Sequence, residues 1–386
     1  MAKKVLVTAG RMPAALEICR ALARTGATVV TADCYAAQIC QGSHAVSRSY
    51  TVASPRFAYD RYKQDILDIV RREKIDLIVP VSEDVLYLAR FADELSQECE
   101  LFFSTADLLY HLHHKQKFVD LSESWDLSVP SSQLYTDASN LPDYCENDYI
   151  LKQVYSRAGQ GVIFASAGEH PRTYGVDSDG SWVVQKRLLG ETLCSCTIIH
   201  HGKIRAHLVY RPSVIAGSVG VVFKQIDQVA IRSWVENFAR KSKYHGIVSF
   251  DFIVSPLGEV SAIECNPRPT SGVHLFEPAM LGYAIQDPDR PLPKLSKRQR
   301  AQVSLGMLTA LPSVFRKVGR RQETFIDILR ARDVMFSWRD PFPALYQLFC
   351  YSYIFYIARQ KKLPLLDCML DGVEWNGDEV TVPQKA

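Results

Sequence analysis

Two apolar strands joined by a short turn constrain this sequence more than any other feature. Residues 246–254 read as the first strand, Pro256-Leu257-Gly258 as the turn, and residues 260–264 as the second strand. Paired strands bring opposite side chains next to each other. We therefore predict that Asp251 and Glu264 lie side by side and face one cavity.

The polar side chains near the ends of these strands suit a divalent cation and a phosphate. Asp251, Glu264 and Asn266 offer hard oxygen ligands. Mg²⁺ usually takes one or two carboxylates and leaves its other positions to water and substrate phosphates. Arg268 cannot bind a metal, but its planar guanidinium matches a phosphate or a transferred phosphoryl group. Cys265 alternates with these ligands and is expected to point into the core.

The composition predicts a globular protein of two or three domains, because 47% of its 386 residues are apolar. Its 45 basic and 42 acidic residues nearly balance, so no nucleic-acid partner is indicated. The ten cysteines lack zinc or disulfide spacings, and the close pair Cys194 and Cys196 is expected to be small buried hydrophobes. Residues 1–10 lack the apolar core of a signal peptide, so a reduced, cytoplasmic setting is the default expectation.

Residues 342–358 form an aromatic, uncharged segment that resembles a membrane span at first sight. Pro343 marks its start, Gln347 and Ser352 lower its hydrophobicity, and it is shorter than the roughly 20 residues that a bilayer requires. We expect a buried or interface helix. Contact with a membrane surface, or a lipid-binding wall, is the alternative.

The first hundred residues alternate between apolar strands and amphipathic helices. Strands are predicted over residues 3–8, 27–33, 76–81 and 101–104, and helices over residues 14–25, 66–73 and 85–96. This alternation predicts a doubly wound parallel sheet that ends near residue 108.

A nicotinamide site in this domain is a remote alternative, which would make the protein an NAD-dependent oxidoreductase. Asp33 closes the second strand, where dinucleotide-binding folds place an acidic residue on the ribose. However, Gly10 alone is present in a turn that needs three glycines, and Arg11-Met12-Pro13 fills that turn with bulk. Asp33 is therefore expected to be a strand-end cap or a local ion-pair partner.

Short strands follow a linker over residues 109–135, which reads as helical and ends at Pro130. The predicted strands are residues 149–154, 163–165, 182–186, 197–200 and 204–210, followed by an amphipathic helix over residues 231–242. Lys152 lies in the middle of the first of these apolar strands, where an unpaired ammonium is costly. An inward-facing Lys152 should therefore meet an anion such as phosphate.

These residues together resemble the ATP-grasp superfamily, and within it the carbamoyl phosphate synthetase and biotin carboxylase type, over roughly residues 1–285. The resemblance implies a pre-ATP-grasp domain over residues 1–108. It also implies a two-subdomain ATP-grasp domain over residues 109–290, with a flexible subdomain at about 149–188. A C-terminal helical extension of unknown role, residues 291–386, lies outside the resemblance.

The resemblance implies two lysines and a loop that hold the phosphates of ATP. Lys115 matches the first lysine, with Lys117 as the alternative, and Lys152 matches the second. Residues 156–162 match the flexible loop, whose backbone N–H groups can close over the polyphosphate. Its small residues are Ser156, Gly159 and Gly161.

The adenosine contacts follow from the same resemblance. The backbone of Lys186 and Leu188 would read the adenine edge. Gln185 stands where the family often has glutamate, and its carbonyl oxygen could accept from the adenine amino group. Glu191 matches the carboxylate that holds the ribose hydroxyls.

The resemblance also implies roles for the polar residues at the ends of the 246–254 and 260–264 strands. Asp251, Glu264 and Asn266 would hold Mg²⁺, with Mn²⁺ as a possible substitute. Arg268 and Lys152 would stabilise the transferred phosphoryl group and the acylphosphate. Phosphoryl transfer needs positioning and charge neutralisation more than covalent help, so this apparatus is sufficient.

The substrate residues are less specific. Glu83 follows the strand over residues 77–81, at the edge where open parallel sheets place ligands, and could hold an amine. Ser271 and His274 lie just beyond Arg268 and could line the acceptor pocket. For each of the three, a structural role is the alternative.

The sequence therefore predicts an ATP-dependent carboxylate-amine ligase that forms an acylphosphate and releases ADP and phosphate. Its partners would be a small carboxylate, such as an amino acid, and an amine. The alternative is an ATP-binding module with a regulatory or scaffolding role. The basic, aromatic extension could form a lid, a homodimer interface, or a docking site for a carrier protein or a membrane surface.

Overall fold

The computed structural model describes residues 2–137, 141, 146–156, 161–169, 181–216, 219–292, 300–304 and 321–377. These residues form one parallel sheet and two further sheets, with helices packed on their faces. The predicted mixed α/β fold class, with a doubly wound N-terminal sheet, is confirmed.

The parallel sheet is built from the first hundred residues. Its strands are β1 (Lys4–Thr8), β2 (Thr28–Asp33), β3 (Val46–Thr51), β4 (Leu77–Val79) and β5 (Glu100–Leu101), in the order β3-β2-β1-β4-β5. The helices between them are α1 (Pro13–Arg24), α2 (Tyr59–Glu73), α3 (Asp84–Leu88) and α4 (Ala92–Leu95). The sequence does not predict β3, because this edge strand is polar and largely exposed and so lacks an apolar pattern.

A buried ion pair fills the turn after β1. Arg11 Nη2 lies 2.8 Å from Asp33 Oδ1, and neither side chain is exposed to solvent. The backbone N–H of Arg11 also donates to Asp33 Oδ2 at 2.8 Å. The predicted role of Asp33 as a local ion-pair partner is confirmed. Because Arg11 takes the carboxylate that a nicotinamide ribose would need, the oxidoreductase alternative loses its support.

A small antiparallel sheet follows the helices α5 (Ala106–His113) and α6 (Lys115–Ser124). Its strands are β6 (Ser132–Tyr135), β7 (Tyr149–Gln153), β8 (Val162–Ala165) and β9 (Trp182–Lys186), in the order β6-β9-β7-β8. The prediction of a helical linker over residues 109–135 was wrong at its end. The helical segment ends at Ser124, before Pro130, and the chain then pairs with β9 as an edge strand.

The large sheet carries most of the remaining chain. Its strands are β10 (Glu191–His200), β11 (Lys203–Ala216), β12 (Val219–Ile226), β13 (Gly246–Val254), β14 (Val260–Asn266), β15 (Arg300–Gln302) and β16 (Arg332–Asp333), in the order β14-β13-β10-β11-β12-β15-β16. Helix α7 (Val229–Ser242) covers one face, where Trp234 packs on the edges of Phe250 and Phe252.

Helix α8 (Pro278–Gln286) joins the large sheet to the parallel sheet. It crosses α1 so closely that a Cβ on Gly282 would lie 2.3 Å from the Ala21 carbonyl oxygen. Only glycine permits this approach between the two backbones. The contact fixes the N-terminal sheet beside the strands that carry Asp251 and Glu264.

The C-terminal extension is not purely helical. It adds β15 and β16 to the large sheet and contains α9 (Arg321–Arg330), α10 (Phe342–Lys361) and α11 (Leu365–Leu370). The expectation of a helical extension is corrected on this point. Strands of two and three residues carry no readable periodicity, so they form because a sheet edge is available to pair with.

The aromatic segment 342–358 forms the helix α10. Its inner face buries Cys350, Ile354 and Ala358, whereas Leu345 and Phe349 remain more than half exposed. Across the part of the chain described by the structure, no helix is long and apolar enough to cross a membrane.

Candidate active site

Two carboxylates meet on the edge of the large sheet. Asp251 on β13 pairs in register with Glu264 on β14, and Ser249 pairs with Asn266. The predicted adjacency of the two acids is confirmed. Cys265, between the polar residues of β14, is 4% exposed and points into the core as expected.

The carboxylate pair is electrostatically strained. Burial raises the pKa of Asp251 to about 6, and the neighbouring charge of Glu264 adds to the shift. Two carboxylates in contact disfavour each other's charge, which a divalent cation would neutralise. Asp251, Glu264 and the Asn266 amide supply hard oxygen donors in the small number that Mg²⁺ uses, so these residues fit the ion.

Cys194 is a neighbour of this pair that the sequence did not reveal. It lies opposite Asp251 on β10, so the thiol and the carboxylate are neighbours on adjacent strands. Burial raises the pKa of Cys194 well above its usual value, so the thiol stays protonated. A protonated, uncharged thiol at this position is compatible with the expectation that Cys194 is a small apolar residue.

Lys152 connects the small sheet to the carboxylates. It is 5% exposed, and its ammonium donates to Gln185 Oε1 at 2.7 Å and to the Ile263 carbonyl on β14 at 3.3 Å. Burial lowers its pKa to about 8, although Glu264 and Asp251 favour the charged form. The inward orientation predicted for Lys152 is confirmed.

Lys115, rather than Lys117, faces this site. Lys115 is 8% exposed, and its ammonium donates to the Ser156 carbonyl at 3.1 Å. Lys117 is exposed at the surface of α6, where its backbone N–H donates to the His114 side chain at the helix start. Geometry therefore selects Lys115 from the two alternatives.

The described ends of the proposed phosphate loop lie between β7 and β8. The N–H of Gln153 donates to the Gly161 carbonyl at 3.3 Å, which closes the base of the loop. Gly161 has φ of +63°, and a Cβ there would lie 2.8 Å from Gln153 Oε1. Ser156 accepts from Lys115, and Gly159 lies outside the described residues.

The buried Gln185 amide contacts Lys152 and β6. Its Oε1 accepts from Lys152, and its Nε2 donates to Ser132 Oγ at 2.9 Å. Each end of this buried amide has one partner and can make a second hydrogen bond, so Gln185 orients Lys152 and its contact with adenine stays a prediction.

The other hinge residues lie at the end of β9 and the start of β10. Lys186 is exposed, with its N–H donating to the Ser131 carbonyl at 2.9 Å, and Leu188 is half-buried just beyond it. Glu191 is also exposed and pairs with Arg211 at 3.1 Å. Their roles toward adenine and ribose stay predictions.

Arg268 approaches the carboxylates from the end of β14 and contacts Glu83 of the N-terminal domain. Its Nη2 lies 3.5 Å from Glu83 Oε1. Its Nε is buried and has no hydrogen-bond partner among the described residues. A buried, unsatisfied guanidinium N–H is costly, and an anionic substrate group would satisfy it.

The expectation that Glu83 holds an amine is corrected. Glu83 is 3% exposed, and its Oε2 accepts from the Trp375 backbone N–H at 2.9 Å. His113 Nε2 lies 3.7 Å from the same oxygen. With Arg268 on the other oxygen, the carboxylate holds protein groups in place and is closed to a substrate ammonium.

His274 is likewise assigned a structural role, which corrects its expected place in the acceptor pocket. It is 2% exposed, its Nδ1 lies 3.3 Å from Glu17 Oε2, and its carbonyl accepts from Arg332 at 2.7 Å. Ser271 begins the same 3₁₀ turn and is half-buried, so it keeps access to solvent.

Trp375 is the site residue that sequence reasoning missed. Its position near the end of the chain gives no local sign of contact with Glu83, 292 residues away. A contact at that separation is created by the fold alone.

Comparison with known proteins identifies the architecture. No protein-family model and no curated protein matches the sequence. The fold resembles that of an L-amino acid ligase from Bacillus licheniformis, with a TM-score of 0.59 and 15% identity over 74% of this chain and 75% of that one. The two chains therefore share a fold.

Two further solved structures share this fold. N5-carboxyaminoimidazole synthetase from Staphylococcus aureus, complexed with ADP, matches with a TM-score of 0.59 and 12% identity over 78% of this chain and 82% of that one. The biotin carboxylase domain of 2-oxoglutarate carboxylase from Hydrogenobacter thermophilus, in complex with MgADP, matches with a TM-score of 0.57 and 14% identity over 78% and 73%.

Proposed function

We propose that the protein is an ATP-dependent ligase. It would phosphorylate a small carboxylate, such as that of an amino acid, and pass the resulting acylphosphate to an amine, with release of ADP and phosphate. The fold shared with an amino acid ligase and with ADP-bound synthetases supports this proposal. A homodimer interface and docking of a carrier protein on the extension stay predictions.

One observation carries the proposal. Buried Lys152 of the small sheet reaches the β14 strand of the large sheet, next to the Asp251 and Glu264 pair. A cationic group and two carboxylates converge there from opposite sheets. Such an arrangement suits a magnesium-bound polyphosphate, because the lysine complements phosphate oxygens and the carboxylates complement the metal.

Each residue then has a definite task. Lys115 and Lys152 would bind phosphate oxygens, with Gln185 orienting Lys152. Asp251 and Glu264, with the Asn266 amide, would hold Mg²⁺, which when bound neutralises phosphate charge. Arg268 would stabilise the phosphoryl group in transfer and the acylphosphate that follows.

Incubation with ATP, Mg²⁺ and a panel of amino acids is expected to release ADP and phosphate. The carboxylate attacks the γ-phosphorus, so the bond between the β-γ bridging oxygen and the γ-phosphorus breaks and ADP leaves. Coupled assays for ADP and phosphate, with chromatography of the ligated product, measure the reaction. AMP and pyrophosphate as products would refute the acylphosphate route. Tight ADP binding without turnover on any substrate would instead favour the ATP-binding module.

ADP affinity is expected to fall as the pH rises above about 8. The folded pKa of Lys152 is lowered to about 8, so its ammonium, the form that binds phosphate, is lost above that pH. The apparent affinity should drop by up to about tenfold per pH unit. Calorimetric titration of ADP between pH 7 and 9.5 measures the effect.

The matched variants for this pH effect are Lys152→Arg and Lys117→Ala. Arginine keeps its charge in this range and should flatten the profile. Lys117 is exposed, so its alanine variant should keep the wild-type profile. An unchanged decline above pH 8 in Lys152→Arg would assign the effect to another group.

A further inference from the structure

The chain returns from α11 to the N-terminal domain through residues 371–377, here called the C-terminal strap. Buried Arg11 donates from Nη1 to the Asp371 carbonyl at 3.2 Å. The Gly372 carbonyl accepts from Ser54 Oγ at 2.8 Å and from the Arg56 N–H at 3.3 Å. The start of the strap is thus anchored through its backbone.

The middle of the strap is held by a buried tryptophan. Trp375 is 6% exposed, and its ring stacks on Tyr110 at 5.2 Å and meets Tyr87 edge-on at 4.9 Å. The Tyr87 hydroxyl donates to the Glu374 carbonyl at 2.7 Å. Aromatic packing of this kind fixes a ring with little freedom, so the backbone beside the ring is fixed as well.

This fixed backbone points its N–H at the Glu83 carboxylate. Trp375 donates to one oxygen at 2.9 Å, and Arg268 lies 3.5 Å from the other. The carboxylate therefore lies between the strap and the arginine proposed to act on the phosphoryl group. A hydrogen bond to a buried carboxylate is stronger than one between neutral groups and restrains its orientation.

The end of the strap contacts the start of the phosphate loop. A Cβ on Gly377 would lie 2.1 Å from Tyr155 Cε2, so glycine is needed for the approach. The Tyr155 ring stacks on His113 at 5.8 Å, and His113 in turn faces Glu83. Tyr155 directly precedes Ser156, whose carbonyl receives Lys115.

We propose that the C-terminal strap is a working part of the active site. Trp375 is a positioning residue that orients Arg268 through Glu83. Gly377 seats Tyr155 and, through it, the base of the phosphate loop. The proposal rests on the proposed ligase function, in which Arg268 acts on the phosphoryl group.

Trp375→Ala and Gly377→Ala in the full-length chain test the proposal. The matched controls are Trp338→Ala, since Trp338 of the same extension is 89% exposed, and Gly26→Ala, since Gly26 has a similar φ of +93° with nothing near its Cβ. We expect kcat for acceptor-dependent ADP release to fall about tenfold or more in the strap variants. The KM for ATP should stay within twofold in Trp375→Ala and rise in Gly377→Ala, because Gly377 seats the base of the phosphate loop. The controls should match the wild type.

The proposal would be overturned if folded Trp375→Ala and Gly377→Ala both kept the kcat of the wild type. A change in melting temperature alone would not support it. If Trp375→Ala does not fold, Gly377→Ala decides alone, because Gly377 lies at the end of the strap. Wild-type protein that releases no ADP with any acceptor would refute the ligase function instead.

If the wild-type protein releases no ADP with any acceptor, hydrogen exchange decides whether the strap is coupled to the bound nucleotide. MgADP should slow exchange across residues 371–377 in the wild type and should not do so in Gly377→Ala. No change in the wild type would overturn the role of the strap.

Discussion

Replacing Arg268 with alanine is expected to lower acceptor-dependent ADP release by about 10³-fold while leaving ADP affinity within a fewfold of the wild type. The reason is that, under the proposed function, the guanidinium stabilises charge that develops during phosphoryl transfer, after the nucleotide is bound. Its buried Nε has no hydrogen-bond partner among the described residues, so it has capacity for a substrate oxygen. Steady-state kinetics and calorimetry with ADP separate the two effects.

The arginine substitution also removes an ion-pair partner from buried Glu83, so a loss of stability must be separated from a loss of catalysis. Glu83 lies 3.5 Å from Arg268 and keeps its hydrogen bond from Trp375. The double variant Arg268→Ala/Glu83→Gln removes the uncompensated charge and should regain stability without regaining activity. Arg232→Ala, at an exposed site on α7, is the matched control. Recovery of turnover in the double variant would show that Arg268 acts only through the fold.

Replacing Asp251 with asparagine is expected to abolish turnover and to raise the stability of the metal-free protein. Burial and Glu264 raise the folded pKa of Asp251 to about 6, above its ordinary value of 3.8. The ionised form is therefore disfavoured by folding, and this cost appears as the pH rises from about 4 through 6. At neutral pH the asparagine variant should gain about 1 to 3 kcal/mol, the order of magnitude that a pKa shift of this size implies.

Thermal melts with and without Mg²⁺ measure this prediction independently of activity. Wild-type protein should gain melting temperature on addition of Mg²⁺ with ADP, and Asp251→Asn should gain less. Glu264→Gln should behave similarly. Glu259→Gln is the matched control, since Glu259 lies exposed at the turn of the same hairpin. An equal response to Mg²⁺ in Asp251→Asn and wild type would remove Asp251 from the metal site.

Much of the candidate site could be predicted because its signals are local. The hairpin brings the two acids to the same part of the sheet, but the register set by its turn would place Asp251 opposite Ile263. An irregularity at that point, of the β-bulge type, shifts the register and puts Glu264 opposite Asp251. A side chain on a strand points to one face of the sheet or to the other. The strand around Lys152 is apolar, which predicts burial, so the inward orientation of Lys152 could be predicted. The parallel sheet followed mainly from β1, β2 and the helices α1 and α2, which are long enough to show an apolar pattern.

The errors concern contacts that depend on distant residues. Glu83 and His274 were expected to meet substrates, but each is occupied by a side chain or backbone group from elsewhere in the chain. A polar residue at a strand end looks the same in sequence whether it faces a ligand or a protein partner. The short strands β6, β15 and β16 were missed for a related reason, since pairing partners rather than periodicity create them.

The sequence by itself determined which chemical groups the candidate site contains. They are two carboxylates and an amide on one hairpin, a lysine inside an apolar strand, and an arginine just beyond the hairpin. Their spacing along short, regular elements leaves few geometries open. Only the tertiary structure decided which groups surround them. It placed Trp375 on Glu83 and Glu83 on Arg268, and it chose Lys115 over Lys117, because the burial that makes such contacts favourable comes from packing between elements far apart in the chain.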